Sequence, residues 1–291
     1  RCVVVRAVTD APDPAAAAAR LRERLMGAAP RVMSVAGSDS GGGAGIQADV
    51  KAIAAAGGFP LTALTALTAQ TTTGVAGVHP VPPEFVARQI LEVARDIGLD
   101  GVKTGMLGSA AVVEAVADAL TEARGWDDEV PLVVDPVMIA TSGAALLDAD
   151  GREALARRLL PLATVITPNL AEARALAGMP EAPARELAPR LHERHGCAVI
   201  VTGGHGDESG DVLCDRDGMV VIPGPRLPRE ATHGAGCTHA ATLAALLAGG
   251  TPLREAAAGA KRAATAAVRA GRPFGDGPGP VDVVAGTGGA R

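Results

Sequence analysis

Residues 232–238 read Thr232-His233-Gly234-Ala235-Gly236-Cys237-Thr238 and lead directly into an alanine- and leucine-rich run, Ala240 to Ala248. Two glycines around a small residue favour a tight turn, and the run after them favours a helix. Such a turn points several backbone N–H groups, at the positive end of the helix dipole, into one small space. The stretch therefore predicts an anion site at a helix N-terminus.

Cys237 lies in the first turn of this predicted helix, where the pKa of a thiol tends to fall. An anion site beside a base is what phosphoryl transfer to an alcohol needs. The alternative is a glycine-rich loop that only caps a helix, with Cys237 as a small packing residue. This stretch alone does not separate the two interpretations, so the rest of the chain has to decide.

Composition excludes several classes of protein. The chain has 291 residues, 48% of them hydrophobic, a net charge of −5 and no basic cluster, which argues against nucleic acid or membrane surfaces as partners. No apolar run in this sequence is long enough to span a bilayer. The cysteines are scattered, which favours a reducing cytoplasm over a disulfide framework or a zinc site: Cys2, Cys197, Cys214 and Cys237.

Apolar strands alternate with helical patterns from Val32 onward. The predicted strands are 32–36, 61–67, 102–104, 132–134, 165–167 and 198–202, followed by a hairpin of 212–214 and 219–222 around Asp217-Gly218. The predicted helices are 46–56, 83–96, 110–123, 148–160, 170–176, 184–195, 236–248 and 253–270. This alternation predicts an α/β fold with a mostly parallel central sheet and helices on both faces.

The sequence also predicts three segments. Residues 31–284 form the main α/β domain. Residues 1–30 form an N-terminal arm, with a β-branched run over 2–8, a helix that starts at Asp13-Pro14 and a linker over 27–30. Residues 285–291 follow a glycine- and proline-rich stretch and are expected to be a disordered tail.

Polar residues follow most of the predicted strands. In an open parallel sheet, ligands bind at the carboxyl ends of the strands, so these residues are candidates for one common site. They are Asp39, Gln70, Gly105-Met106, Asp135, Asn169 and the run from Thr202 to His205. One polar residue after a strand is explained by the ordinary polarity of loops. Polar residues after most of the strands are harder to explain in that way.

Two of these regions have a specific interpretation. Residues 41–45 lack the Lys-Ser/Thr ending of a P-loop, so we interpret them as a loop that closes over a small flat ligand, with Asp49 on the next helix. A solvated helix face is the alternative for Asp49. Asn169 and Glu172 are spaced i, i+3 and suit hydrated Mg²⁺ beside nucleotide phosphates. They also suit a helix capping box, and the two roles are compatible.

Several motifs together resemble hydroxymethylpyrimidine/phosphomethylpyrimidine kinases, the thiamine-pathway members of the ribokinase-like superfamily. The opening motif is Gly37-Ser38-Asp39-Ser40-Gly41-Gly42-Gly43-Ala44-Gly45-Ile46-Gln47-Ala48-Asp49. The others are Ala69-Gln70-Thr71, Lys103-Thr104-Gly105-Met106-Leu107, Asp135-Pro136-Val137-Met138, Thr167-Pro168-Asn169-Leu170, Gly203-Gly204-His205 and His233-Gly234-Ala235-Gly236-Cys237-Thr238. Sugar kinases and many pyridoxal kinases of this superfamily carry Asp where this chain has Cys237.

The resemblance implies a fold, an activity and a set of site residues. The fold is a ribokinase-like three-layer sandwich, and the activity is ATP- and Mg²⁺-dependent phosphorylation of 4-amino-5-hydroxymethyl-2-methylpyrimidine and then of its monophosphate. The implied residues are Gly37, Asp49, Gln70 and Met106 for the pyrimidine; Gly234, Ala235, Gly236 and Cys237 for catalysis; Asn169, Thr202 and Gly204 for the nucleotide; and Asp135 and Glu172 for Mg²⁺. A homodimer is also implied.

The chain departs from the family pattern at a few positions. Thr141 and Thr202 stand where relatives often have Lys, and Ala144 stands at a frequent Asp. Each change removes a charge that would face phosphate. The lost lysine at Thr141 makes a pyrimidine- or nucleotide-binding module without turnover an alternative. A pyridoxal kinase of the same fold is the alternative enzyme.

The N-terminal arm has a resemblance of its own. The run Val3-Val4-Val5-Arg6-Ala7-Val8, then Ala11-Pro12-Asp13-Pro14 and an alanine-rich helix, resembles the last strand and helix of thiamine phosphate synthase, a (β/α)8 barrel. This resemblance implies that the chain is the C-terminal part of a synthase–kinase fusion, with a truncated gene model or an ordinary N-terminal arm as the alternatives. One strand and one helix cannot close a barrel, so we expect the arm to pack little against the main domain.

Overall fold

The computed structural model describes residues 14, 17, 29–124, 130–139, 146–203, 210–225, 227 and 231–286. The strands are β1 Arg31–Asp39, β2 Phe59–Gln70, β3 Val75–Pro80, β4 Gly101–Thr104, β5 Leu132–Val134, β6 Val165–Ile166, β7 Ala198–Val201, β8 Gly210–Asp215 and β9 Gly218–Pro223. The helices are α1 Gly45–Ala55, α2 Pro83–Asp96, α3 Ala110–Arg124, α4 Ala149–Ala154, α5 Leu170–Ala177, α6 Ala184–His195, α7 Ala235–Ala248, α8 Leu253–Ala270 and α9 Val283–Gly286.

The described strands form one sheet in the order β3-β2-β1-β4-β5-β6-β7-β8-β9. The six strands from β2 to β7 in this order pair in parallel, whereas β3, β8 and β9 pair antiparallel at the two edges. This sheet confirms the predicted α/β class with a mostly parallel centre. The parallel strands all end at the same edge, as a ligand site between them requires.

Helices cover both faces of the sheet, which confirms the three-layer architecture. Alternation along β1 shows the two faces, since Met33 packs toward α2, α3 and α6, and its neighbour Val32 packs toward α1, α7 and α8. The helix layer of α1, α7 and α8 lies close to the sheet, because many of its buried residues are alanines. An added Cβ at Gly101 of β4 would lie 2.8 Å from the Cβ of Ala248 in α7.

The sequence did not predict β3. Most of its residues are exposed, so they show neither the continuous apolar run nor the alternation that marks a strand. Antiparallel pairing with the outer part of β2 holds this edge strand in place. The predicted hairpin of β8 and β9 is confirmed, with Asp215 opposite Gly218 across the turn.

Two predicted boundaries differ in the structure. The helix predicted over 148–160 is α4 followed by a π-helical turn, Leu155–Leu159, and a 3-10 turn, Leu160–Leu162. The predicted boundary at 284 falls inside α9, while residues 287–291 lie outside the described residues. Of the N-terminal arm, only residues 14, 17, 29 and 30 are described. Across the described ranges, none of the helices has the length and apolar character needed to cross a membrane.

Candidate active site

A cavity lies at the carboxyl edge of the parallel strands, beside the N-terminus of α7. It brings together most of the residues that the sequence predicted for the site. They are Gly37, Gln70, Met106, Asp135, Asn169, Glu172, Thr202, Gly234, Ala235, Gly236 and Cys237. Gly204 lies outside the described residues, as do Thr141 and Ala144, and Asp49 does not line the cavity.

The anion turn, residues 234–237, opens α7 at the end of this cavity. Gly234 is the N-cap with φ 87°, and an added Cβ there would lie 1.8 Å from the carbonyl oxygen of Gly43. Only glycine fits this left-handed turn pressed against a second loop. The N–H groups of the first helical turn have no carbonyl within the helix, so Gly236 and Cys237 present theirs to the cavity.

Cys237 differs from its predicted state. The sequence placed its thiol at a helix N-terminus, where its pKa tends to fall. The pKa of Cys237 is instead raised to about 12, mainly by burial; the charge of Lys103 opposes this rise, and the charges of Asp49 and Asp135 add to it. The thiol is therefore protonated at neutral pH, and α7 supplies N–H donors more readily than Cys237 supplies a base.

Asp49 lies in a buried ion pair beneath the cavity. Its Oδ2 accepts hydrogen bonds from Lys103 Nζ at 2.8 Å and from Ser34 Oγ at 2.5 Å, and both charged side chains are 0% exposed. Ser34 of β1 and Lys103 of β4 are partners in the sheet register, so both reach the same face, where α1 carries Asp49. The structure thus places the predicted pyrimidine ligand Asp49 outside the cavity wall.

The sequence interpretation assigned no role to Lys103. It lines the cavity, whereas its partner Asp49 does not. Burial lowers its pKa, but the charge of Asp49, with smaller effects of Cys237 and Asp135, raises the pKa above its ordinary value. The sequence did contain a signal for this ion pair, namely a lysine inside an otherwise buried strand. A buried charge of this kind requires a partner of opposite charge.

Asp135 and Glu172 form the acidic side of the cavity. Burial raises the pKa of Asp135 to about 6, and Lys103 partly opposes this rise. Burial raises the pKa of Glu172 to about 8, and the charge of Asp135 adds to the effect. An added Cβ at Gly236 would lie 4.0 Å from Asp135 Oδ2, so this carboxylate faces the anion turn.

The capping box predicted at the start of α5 is confirmed. Asn169 Oδ1 accepts from the Glu172 N–H at 3.0 Å, and Glu172 Oε2 accepts from the Asn169 N–H at 2.9 Å. Glu172 Oε1 accepts from the Met138 N–H at 3.4 Å. Local backbone donors therefore hold Glu172 with its carboxylate at the cavity.

The donor set fits Mg²⁺ only if water supplies most of the ligands. Among the described residues, no group of three His, Cys, Asp or Glu side chains is placed to hold a metal ion directly. Mg²⁺ usually keeps several waters and uses one or two carboxylates together with substrate phosphates. Two close carboxylates with raised pKa values, Asp135 and Glu172, match that requirement.

A second polar contact joins two glycine-containing loops. Asp39, at the end of β1, accepts hydrogen bonds from the N–H groups of Gly41, Gly43 and Ala44 at 2.8 to 3.1 Å. The same carboxylate contacts His233 Nε2 at 2.9 Å. The sequence interpretation assigned no role to His233, which lies 194 positions along the chain from Asp39.

Comparison with known proteins identifies the family. The family model described as phosphomethylpyrimidine kinase matches residues 39–282, which include the whole cavity apart from a few residues of β1. The chain belongs to the phosphomethylpyrimidine kinase family. The resemblance carried by the sequence motifs is thereby confirmed.

Two relatives show how the chain matches proteins of different length. A thiamine biosynthesis bifunctional protein of Geobacter sulfurreducens is 46% identical over 288 residues, which cover 96% of this chain and 58% of that protein. A hydroxymethylpyrimidine/phosphomethylpyrimidine kinase of Haemophilus influenzae is 42% identical over 262 residues, which cover 87% of this chain and 96% of that protein. The chain thus spans little more than half the length of the bifunctional relative.

A solved structure supports the ribokinase-like architecture. Pyridoxal kinase from Bacillus subtilis, determined as an ADP complex, superimposes with a TM-score of 0.79 at 34% sequence identity. The match covers 88% of this chain and 98% of that one. A member of the phosphomethylpyrimidine kinase family therefore shares its fold with a protein named as a pyridoxal kinase.

The buried ion pair generates a prediction about stability. Asp49→Asn removes the carboxylate that is hydrogen-bonded to the buried Lys103 ammonium, so we expect the free energy of unfolding to fall by about 3–5 kcal/mol. Denaturant unfolding measures this loss, with Asp96→Asn on the exposed end of α2 as the matched control. Asp49→Asn combined with Lys103→Met removes both charges and should be less destabilised than Asp49→Asn alone. An Asp49→Asn variant as stable as the control would contradict the pairing.

Glu172 generates a prediction about pH. Its pKa is about 8 in the folded chain against 4.5 in the unfolded chain, so between these values the folded state keeps a proton that the unfolded state has lost. Metal-free stability therefore falls as pH rises from about 4.5 to about 8, by at most about 1.4 kcal/mol per unit of pKa shift.

Glu172→Gln removes this titration and should flatten that part of the Tm-against-pH curve, measured in a chelator. It should also raise Tm at the alkaline end relative to the unsubstituted chain. Glu181→Gln, at an exposed position, controls for the loss of one negative charge. An unchanged curve in Glu172→Gln would show that Glu172 titrates normally.

Proposed function

We propose that this chain transfers the γ-phosphoryl group of ATP to the hydroxymethyl group of 4-amino-5-hydroxymethyl-2-methylpyrimidine, and then phosphorylates the monophosphate to the diphosphate. The single observation that carries the proposal is the cavity itself. It combines the anion turn, the carboxylates Asp135 and Glu172, and the amide of Gln70 at one sheet edge. The family membership agrees with this reaction.

The pyrimidine end of the cavity is formed by Gly37, Gln70 and Met106. An added Cβ at Gly37 would lie 2.4 Å from Met106 Cε, so the absence of a side chain at Gly37 lets Met106 pack directly against β1 at this end of the cavity. Gln70 carries an amide that both donates and accepts, as recognition of an aminopyrimidine edge requires. Its Oε1 has one long contact, 3.3 Å, with Thr68 Oγ1, so the amide retains hydrogen-bonding capacity for a ligand.

The phosphate end of the cavity is formed by the anion turn and the acidic pair. The N–H groups of Gly236 and Cys237 bind phosphate oxygens, and Asn169, Thr202 and Gly204 contact the nucleotide. Asn169 and Thr202 are held side by side because their backbones form a parallel bridge. Asp135 and Glu172 would hold Mg²⁺ with water, and the bound ion would supply charge neutralisation to the phosphates.

Catalysis by these residues consists of positioning and charge stabilisation. Phosphoryl transfer has a loose transition state in most analyses, so aligned reactants and N–H donors contribute more than a strong base. The buried ammonium of Lys103 offsets negative charge beneath the reacting groups. The protonated Cys237 thiol lies beside the acceptor hydroxyl as a polar contact.

Pyridoxal kinase is the second candidate, because the superposed Bacillus subtilis structure carries that name. Steady-state kinetics separates the candidates, with ADP release measured against each alcohol and against the pyrimidine monophosphate. We expect turnover with the hydroxymethylpyrimidine and its monophosphate. Phosphorylation of pyridoxal alone would favour the second candidate, and binding without ADP release would indicate a module without turnover.

The Cys237 thiol provides a prediction about the base. A thiol with a pKa of about 12 is protonated at the assay pH, so Cys237→Ser should lower kcat only about tenfold. A true general base would cost about 100-fold or more. Alkylation rates across pH, with and without ATP, measure the thiol directly. Rapid alkylation at neutral pH together with a 100-fold loss would restore the base role.

The domain boundaries remain a proposal, in which residues 31–284 are the kinase and residues 1–30 correspond to the upstream part of the bifunctional relative. Matches to the bifunctional and the single-function relatives differ by about 26 residues of this chain, which is close to the size of that segment. Deletion of residues 1–29 should leave kinase activity and Tm nearly unchanged, whereas loss of folding would show that the arm belongs to the domain.

Assembly and location are inferred from the family resemblance alone. We infer a homodimer in the cytoplasm, and a fusion to thiamine phosphate synthase in the full-length protein. Sedimentation of the purified chain measures the first of these. The free thiols of Cys197, Cys214 and Cys237 agree with a reducing compartment.

A further inference from the structure

Asp39 holds the glycine loop, residues 41–45, by its carboxylate. Oδ1 accepts from the Gly41 N–H, and Oδ2 accepts from the N–H groups of Gly43 and Ala44. The side chain is 3% exposed. Burial raises the pKa of Asp39, but the hydrogen bond from His233 and those from Ala44 and Gly41 lower it below the ordinary value. The carboxylate that organises this loop is therefore ionised at neutral pH.

His233 brings the anion turn to the same carboxylate. Its Nε2 lies 2.9 Å from Asp39 Oδ2, and an added Cβ at Gly43 would lie 2.5 Å from its Cδ2, so this edge of the ring packs closely against the glycine loop. Its backbone is held on the other side, because the His233 N–H donates to the Gly279 carbonyl and its carbonyl accepts from the Val281 N–H. His233 thus has little freedom to move away from the loop.

The same ring touches the residue proposed to bind the pyrimidine. Gln70 Nε2 lies 3.4 Å from His233 Nε2. Since Nε2 donates its hydrogen to the ionised Asp39, it has no lone pair to offer the Gln70 amide. The contact therefore limits the position of Gln70 without using up its hydrogen-bonding groups.

We propose that His233 is a positioning residue, which with Asp39 fixes the anion turn against the glycine loop and Gln70. The phosphate bound at residues 234–237 and the alcohol oriented by Gln70 are then held at one separation suited to in-line transfer. Small errors in such a separation are costly to the rate, because near-attack geometry supplies much of the catalysis. This inference rests on the proposed kinase function.

His233→Leu removes the Nε2 donor and keeps an apolar side chain of similar reach, whereas His233→Gln restores an N–H donor. We expect His233→Leu to lower kcat by about 10- to 100-fold, with the KM values for ATP and alcohol changed less than about threefold. His233→Gln should recover most of the loss. His79→Leu, on the exposed edge strand β3, is the matched control and should keep the kcat of the unsubstituted chain.

A pH profile separates positioning from proton transfer. If His233 acts only by positioning the two loops, the pH profile of kcat/KM keeps its shape in His233→Gln and differs only in its overall height. Loss of the acidic limb in His233→Gln would instead make His233 a proton acceptor and overturn the proposal. A His233→Leu variant with unchanged kcat, or with a defect confined to KM, would overturn it as well.

Hydrogen exchange tests whether the contact of His233 with Asp39 stabilises the glycine loop, and it requires no turnover. The amides of Gly41, Gly43 and Ala44 should exchange faster in His233→Leu than in the unsubstituted chain or in His79→Leu. If the unsubstituted chain phosphorylates none of the alcohols, the proposed function is wrong. If these amides exchange at an unchanged rate in His233→Leu, the positioning role of His233 is wrong, whatever the outcome for the function. Should His233→Leu not fold, His233→Ala, which also removes the Nε2 donor and leaves Asp39 in place, gives the same two readouts.

Discussion

A fully buried ion pair between Lys103 and Asp49 fixes the relation of the sheet to the helix that follows the glycine loop. Lys103 and Ser34 are neighbours on adjacent strands, and both reach Asp49 on α1. A buried charge tolerates few arrangements, because its partner has to be in hydrogen-bonding reach. The pair therefore sets where α1 lies on the sheet. Since α7 packs against α1 and the same sheet face, the place of the anion turn depends on it as well.

The charges beneath the cavity explain its chemistry. Burial raises the pKa values of Asp135 and Glu172. The charge of Asp135 adds to the rise at Glu172, whereas Lys103, paired with Asp49, only partly opposes the rise at Asp135. The same negative surroundings, together with burial, keep the Cys237 thiol protonated. A site of this kind gains most from a divalent cation and from N–H donors that bear no charge of their own. In the proposed reaction, the acceptor hydroxyl needs orientation more than a strong base.

Loop geometry explains why two glycine-containing segments face each other. Gly234 adopts a left-handed turn against the Gly43 carbonyl, so neither side tolerates a larger residue at that contact. Asp39 satisfies the N–H groups that the glycine loop exposes and binds the imidazole next to the anion turn. The glycine loop and the anion turn are consequently joined through Asp39 and His233, although the two residues lie 194 positions apart in the chain.

The sequence by itself determined the features that depend on neighbouring residues. Strand and helix periodicity predicted the parallel sheet, two glycines before an apolar run predicted the anion turn, and the i, i+3 spacing of Asn169 and Glu172 predicted the capping box. Only the tertiary structure decided that Asp49 is buried against Lys103, that Asp39 meets His233, and that an exposed edge strand pairs with β2. It also reversed the expected pKa shift of Cys237. Local pattern encodes backbone geometry, whereas desolvation and charge pairing depend on residues 54 and 194 positions apart, which only folding brings into contact.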